Sequence, residues 1–273
     1  MPDLREMGQK RIVYKIPNME QVKVHKNITY KTVDGTDLKM DLYYPTHLQS
    51  NSQCPAVILV HGEGIDPAVL KDAKDWGVFV SFGQLIAASG FIAISFNHRS
   101  TENLTRYEVA SDIDDLISYL RDKAEQFNID KEHLCLWAFS AGVPSGLRAA
   151  MHEPYPFIRC IVAYYGPMDL QHVRDFYPSE VRDETLREFS AIYHLENNSS
   201  DIPPMFIAKA GIDFPFLNAS IDRFVMEASS KNVQITFMNH PTGHHSFDLL
   251  DDNARSREII RNTLEFIKEH LKV

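Results

Sequence analysis

Five short, largely apolar runs recur along the chain: Pro55–Val60, Gly90–Phe96, His133–Phe139, Ile158–Tyr165 and Met205–Ala210. Each is too short for a core helix, and none shows the apolar–polar alternation of a half-exposed strand. They predict strands buried on both faces, which need helices above and below. Helix-period stretches lie between them. Val109, Ile113, Leu116, Leu120 and Phe127 fall on one face of the first, and Ile260, Leu264, Ile267 and Leu271 on one face of the last. Val233–Met238 supplies a further strand. Near the start, Val22–Thr32 and Leu38–Tyr44 meet across Val33-Asp34-Gly35-Thr36, where Asp-Gly is a hairpin signal. The expectation is an α/β protein with a mostly parallel eight-stranded sheet that opens on an antiparallel pair.

At 273 residues the chain suits one large domain. It carries 28 Lys plus Arg against 37 Asp plus Glu, a net charge of −9, which argues against a nucleic-acid partner. No run approaches the ~18 apolar residues that a membrane span needs. The segment Met1–Lys10 has mixed charge and lacks the apolar centre of a secretory signal. Cys54, Cys135 and Cys160 read as reduced core thiols, which suits a cytoplasmic protein. Oligomeric state is not fixed by the sequence, and a homodimer stays open.

Residues 168–202 break the strand–helix rhythm and include Phe176, Tyr177, Phe189, Tyr193 and His194. A helix is expected around Ser179–Tyr193. A long insertion after a strand is more often functional than idle, so this one is expected to form a small cap on a single domain.

Ala138-Phe139-Ser140-Ala141-Gly142 follows directly on the run HLCLWAF and precedes a helix-compatible segment. A serine flanked at two residues on either side by small residues, between strand and helix, is the arrangement of a nucleophile elbow. The turn would expose Ser140 at the strand's carboxyl end, facing the positive end of the next helix. Pro144 falls in that helix's first turn, where a missing N–H is harmless.

A neutral serine needs a base, and the base an orienting acid. Asp213 follows the run MFIAKA, with Gly211 expected to let the chain turn; Asp201 and Asp222 are weaker candidates. Past the next strand comes His240-Pro-Thr-Gly-His244-His245-Ser-Phe-Asp248, where spacing alone admits either His244 or His245 as the base. Three histidines so close also raise a metal site, but no H-E-x-x-H pattern accompanies them, and none is expected. Phe96-Asn97-His98-Arg99 ends another strand on the same edge. Hydrogen bonding of Asn97 and His98 to a neighbouring loop is favoured over lining the pocket. Asp112, Asp114 and Asp115 suit a solvated helix face or a salt bridge with Arg99.

His61-Gly62-Glu63-Gly64, AFSAG, AGID and GHHSFD, in that order, resemble the α/β-hydrolase superfamily. The likeness is strongest to its esterase/lipase and prolyl-oligopeptidase-type branch, including dienelactone-hydrolase-like proteins, and runs from about Asp37 to the carboxyl terminus. The resemblance implies an α/β-hydrolase fold with Ser140 as nucleophile, Asp213 as acid and His245 as base. The pattern Gly-x-His-x-Phe favours His245 over His244. It also implies an oxyanion hole built from Gly62, Glu63, Gly64 and Ala141, with His61 bracing the loop. Glu63, Ala138 and Val143 depart from the family's small residues, and the Glu63 side chain is expected to point away from the site.

The resulting expectation is a serine hydrolase cleaving a small carboxylic ester through an acyl-enzyme, without metal or organic cofactor. Small-peptide or amide hydrolysis, and a non-catalytic binding protein on the same scaffold, are the alternatives.

Overall fold

A computed structural model describes residues 4–49, 52–62, 70, 72–100, 107–152, 155–176, 179–198 and 201–271. The eight strands are β1 (Lys23–Val33), β2 (Thr36–Tyr44), β3 (Cys54–Val60), β4 (Ile92–Phe96), β5 (Ile129–Phe139), β6 (Ile158–Tyr164), β7 (Met205–Ile212) and β8 (Ile235–His244). They form one sheet in the order β1-β2-β4-β3-β5-β6-β7-β8. Strand β2 runs antiparallel to both β1 and β4, and every other pair is parallel. Asp34 (φ 49°) and Gly35 (φ 76°) both take positive φ at the β1–β2 turn, as a two-residue hairpin with right-handed twist requires.

The pleat sorts the apolar runs onto two faces. In β3, Ala56, Ile58 and Val60 face one core, and Val57 and Leu59 face the other. The first core is closed by α2 (Tyr107–Asp122), α3 (Val143–Met151) and α6 (Pro215–Ser230), and the second by α1 (Gly77–Ala88) and α7 (Ala254–His270). Continuous apolar runs in β3 to β7 are what two-sided burial demands. The fold is the expected mostly parallel α/β sheet with helices on both faces.

Three boundaries differ from the sequence reading. Phe127 is buried as expected, but it lies outside α2 in a separate turn, Ala124–Phe127, which Asn128 ends at φ 58°. The helix expected around Ser179–Tyr193 is two, α4 (Asp183–Glu188) and α5 (Ala191–Asn198). At the break, Ser190 Oγ donates to the Leu186 carbonyl (2.6 Å) and accepts from the Leu170 N–H (2.8 Å), so its hydroxyl competes with helix bonding. Strand β8 continues past Met238 to His244 because β7 also extends, pairing Ala210 with His240 and Ile212 with His244 across a register shift. Gly211 therefore lies within β7 and not at a turn. A Cβ there would sit 2.3 Å from the Pro241 carbonyl oxygen, so its bare backbone lets the two strands approach.

The segment around α4 and α5 has its own apolar cluster of Leu170, Val173, Val181, Leu186 and Phe189, joined by Ala110 of α2. Ala191 and Leu195 of α5 reach the main core. The three cysteines are buried free thiols, with Cys135 and Cys160 paired in register on neighbouring strands. Among the described residues no helix is long and apolar enough to cross a membrane.

Candidate active site

Strands β3, β5, β7 and β8 bring His61, Ser140, Asp213 and His245 to the same carboxyl edge of the sheet. At the end of β5 the chain turns through Ser140 at φ 51°, a left-handed conformation that side chains other than glycine rarely adopt. Packing fixes the turn. A Cβ on Gly142 would lie 2.2 Å from the His61 carbonyl oxygen, and one on Gly166 would lie 2.2 Å from the Ser140 carbonyl oxygen. Ala138, which departs from the family's glycine, fits because Gly146 faces it from α3. A Cβ on Gly146 would meet the Ala138 methyl at 2.9 Å. Pro144 stands in the first turn of α3, as its missing N–H permits.

The Ser140 hydroxyl lies 2.7 Å from His245 Nε2, and His245 Nδ1 lies 2.6 Å from Asp213 Oδ2. With Nδ1–H donating to the carboxylate, Nε2 is left as an acceptor for the serine hydroxyl. The Asp213 side chain is 1% exposed and the imidazole 33%. The second carboxylate oxygen, Asp213 Oδ1, accepts the Phe214 N–H at 2.8 Å. The rival residues are engaged elsewhere. His244 is turned outward and held by Asp251 at 2.9 Å, and its own N–H bonds the same carboxylate. Asp222 pairs with Lys209 (2.6 Å), and Asp201 is exposed in a turn. His240 is buried, with Nε2 against Asn253 and Ser256. No group of metal-binding side chains occurs among the described residues.

Gly62 lies over the elbow: a Cβ there would be 3.4 Å from Ser140 Cβ and 3.7 Å from the Ala141 nitrogen. Glu63 and Gly64, the remaining expected oxyanion residues, lie outside the described residues. His61 is buried and stacks on His98 with ring centres 3.6 Å apart. Its Nδ1–H donates to the Gly62 carbonyl (2.7 Å), and the His98 ring reaches the Arg99 carbonyl through Nδ1 (2.8 Å) and the His61 carbonyl through Nε2 (3.1 Å). Burial holds the His61 imidazole well below its usual range, and neighbouring His98 adds to that. Asn97 Oδ1 accepts the Lys74 N–H (2.9 Å), so both residues after β4 brace loops. For Asp112 the expected salt bridge with Arg99 is present and the solvated face is not. Its carboxylate is fully buried, bonded by Arg99 from both backbone and side chain and by Lys31 (2.7 Å).

Sequence reasoning singles out neither Tyr165 nor Asp248, yet both adjoin His245. Tyr165 follows β6 at φ 37°, and its ring meets the His245 imidazole at 4.8 Å between centres. Its hydroxyl donates to Asp248 Oδ1 at 2.6 Å. Asp248 sits in the short helical turn Phe247–Leu250, wholly buried. Burial pushes its carboxyl up to about 6, against the pull of the Tyr165 hydrogen bond, its own N–H and His245. The only signal in the sequence is an aspartate beside apolar Phe247, Leu249 and Leu250, too common a pattern to mark a site.

The family model BD-FAE matches residues 40–236, well over half of the chain. No curated protein matches it. Among solved structures, native esterase 2 of Thermogutta terrifontis superposes with a TM-score of 0.73 at 19% identity, covering 97% of this chain and 96% of that one. The same esterase phosphorylated by paraoxon gives 0.69 at 18% identity, covering 93% of this chain and 94% of that one. Its butyrate-bound form gives 0.67 at 18% identity, covering 93% and 94%.

Proposed function

The chain belongs to the BD-FAE family and has the α/β-hydrolase fold, and on that premise we propose that it is a serine hydrolase cleaving a small carboxylic ester. The single observation that carries this reading is the hydrogen-bonded line from Ser140 through His245 to Asp213, at 2.7 and 2.6 Å. Ser140 attacks the ester carbonyl while His245 Nε2 takes its proton. Collapse of the tetrahedral intermediate gives an acyl-enzyme as His245 returns the proton to the leaving alcohol. Water then repeats the sequence to release the acid. Asp213 keeps the imidazole in the Nδ1–H tautomer and faces the imidazolium that forms.

The oxyanion would be met by backbone N–H groups of the Gly62-Glu63-Gly64 loop and of Ala141, next to the amino end of α3. Gly62 supports this by its closeness to Ser140 and Ala141. Residues 168–202 act as a small cap beside the site, and the fold works as one domain. The butyrate and paraoxon complexes named for the Thermogutta esterase favour a short acyl group and a nucleophile open to phosphorylation. The reaction needs no cofactor, and the free thiols suit a cytoplasmic setting.

Wild-type protein is expected to react one-to-one with paraoxon or a fluorophosphonate and to hydrolyse p-nitrophenyl acetate or butyrate. Ser140→Ala should abolish labelling and lower kcat by about 10⁴-fold or more. Wild-type protein that neither labels nor cleaves would leave the non-catalytic binding reading in its place.

A further inference from the structure

Three non-glycine residues with positive φ converge on His245: Ser140 (51°), Tyr165 (37°) and Ser246 (65°). Strain of this kind persists only where the surroundings over-determine it. The proposed nucleophile accounts for Ser140, and Ser246 starts the helical turn after the base. Tyr165 has no such role, yet its conformation is fixed from three sides. Its N–H donates to the Ala208 carbonyl (2.8 Å), its ring packs against Phe247 (5.5 Å between centres), and its hydroxyl is bonded to Asp248. The result is a ring set edge-on to the imidazole.

Asp248 is equally constrained. Its backbone carbonyl accepts the Val13 N–H (2.8 Å), its Oδ1 accepts the tyrosine, and its Oδ2 is buried with no hydrogen-bond partner among the described residues. A buried carboxylate with one orphan oxygen is costly to keep ionised and calls for an explanation. We propose that Tyr165 and Asp248 form a second, buried support for His245, positioning residues that fix its ring and favour its protonated form during turnover. Their role in turnover rests on the serine-hydrolase reading. Their effect on the imidazole does not.

Among the described residues, Tyr164 at the end of β6, His245 after β8 and Asp251 beyond the helical turn face this pair, and Asp213 faces the imidazole from the end of β7. Desolvation and Asp248 both hold the Tyr165 phenol well above its usual range, so it stays a donor. When ionised, Asp248 adds a negative charge that acts on His245 beside that of Asp213.

The test is the titration of the His245 ring, followed by NMR in wild-type protein, Asp248→Asn and Tyr165→Phe. Removing the Asp248 charge in Asp248→Asn should displace the His245 curve to lower pH by about half a unit or more. In kinetics the acidic limb of kcat/KM should move the same way. Tyr165→Phe should lower kcat about three- to tenfold with KM within twofold. Coincident His245 titrations in wild type and a folded Asp248→Asn overturn the proposal. If Asp248→Asn does not fold, unchanged kcat and an unchanged His245 curve in Tyr165→Phe do so. Absence of ester cleavage by the wild type would sink the hydrolase reading alone, because the ring titration is read without substrate.

Discussion

The turn that carries Ser140 and the loop that carries Asp213 serve one imidazole by opposite means. Around Ser140 the geometry is steric. Gly142 and Gly166 have no room for a side chain, and backbone carbonyls of His61 and Ser140 occupy the space. Around Asp213 it is a matter of hydrogen bonds. The carboxylate is held by the Phe214 N–H and by His245, and the residues on either side are open, Ile212 at 54% and Phe214 at 52% exposed. On the proposed mechanism the nucleophile has to be presented at a defined angle, which interlocked backbone secures, while the acid needs only its charge and one good bond in a buried setting.

The contrast can be broken or sharpened by substitution. The largest effect is expected from Asp213→Asn, which keeps the shape of the loop and removes the charge. Its kcat should fall about 10³–10⁴-fold while its melting temperature stays near that of wild type. A loss below tenfold in a steady-state ester assay would mean that Asp213 does not orient the base. Gly142→Ala tests the other side. The new methyl must displace the His61 carbonyl, so urea denaturation should show about 2–4 kcal/mol of lost stability, with activity falling alongside. A stable Gly142→Ala protein would show that the elbow is less interlocked than its contacts indicate. Ile212→Thr marks the small end of the scale. Its side chain is exposed and β-branched like its replacement, so stability should change by no more than about 0.5 kcal/mol in the same titration.

The same contrast governs what the sequence could disclose. Ser140 was legible because its determinants are contiguous: a buried run, a small-x-Ser-x-Gly turn and a helix start. The sheet was legible for a similar reason, since two-sided burial writes itself into each run of β3 to β7. Asp213 and His245 needed chain order and family pattern, because nothing local separates His244 from His245. What separates them is Asp251, which holds His244 outward from seven residues away. Tyr165 and Asp248 lie 83 residues apart and gave no sign. The extension of β8 through Asn239-His240-Pro241-Thr242-Gly243 was hidden by residues that usually make turns. They stay extended because β7 continues beside them, a fact of pairing and not of propensity.

Ala138 and Gly146 face each other across the strand–helix junction at a separation that leaves room for one methyl group and not two. A methyl placed on the helix at Gly146 while Ala138 keeps its own would force one of the two elements to shift, so this pair sets how closely α3 can seat on β5.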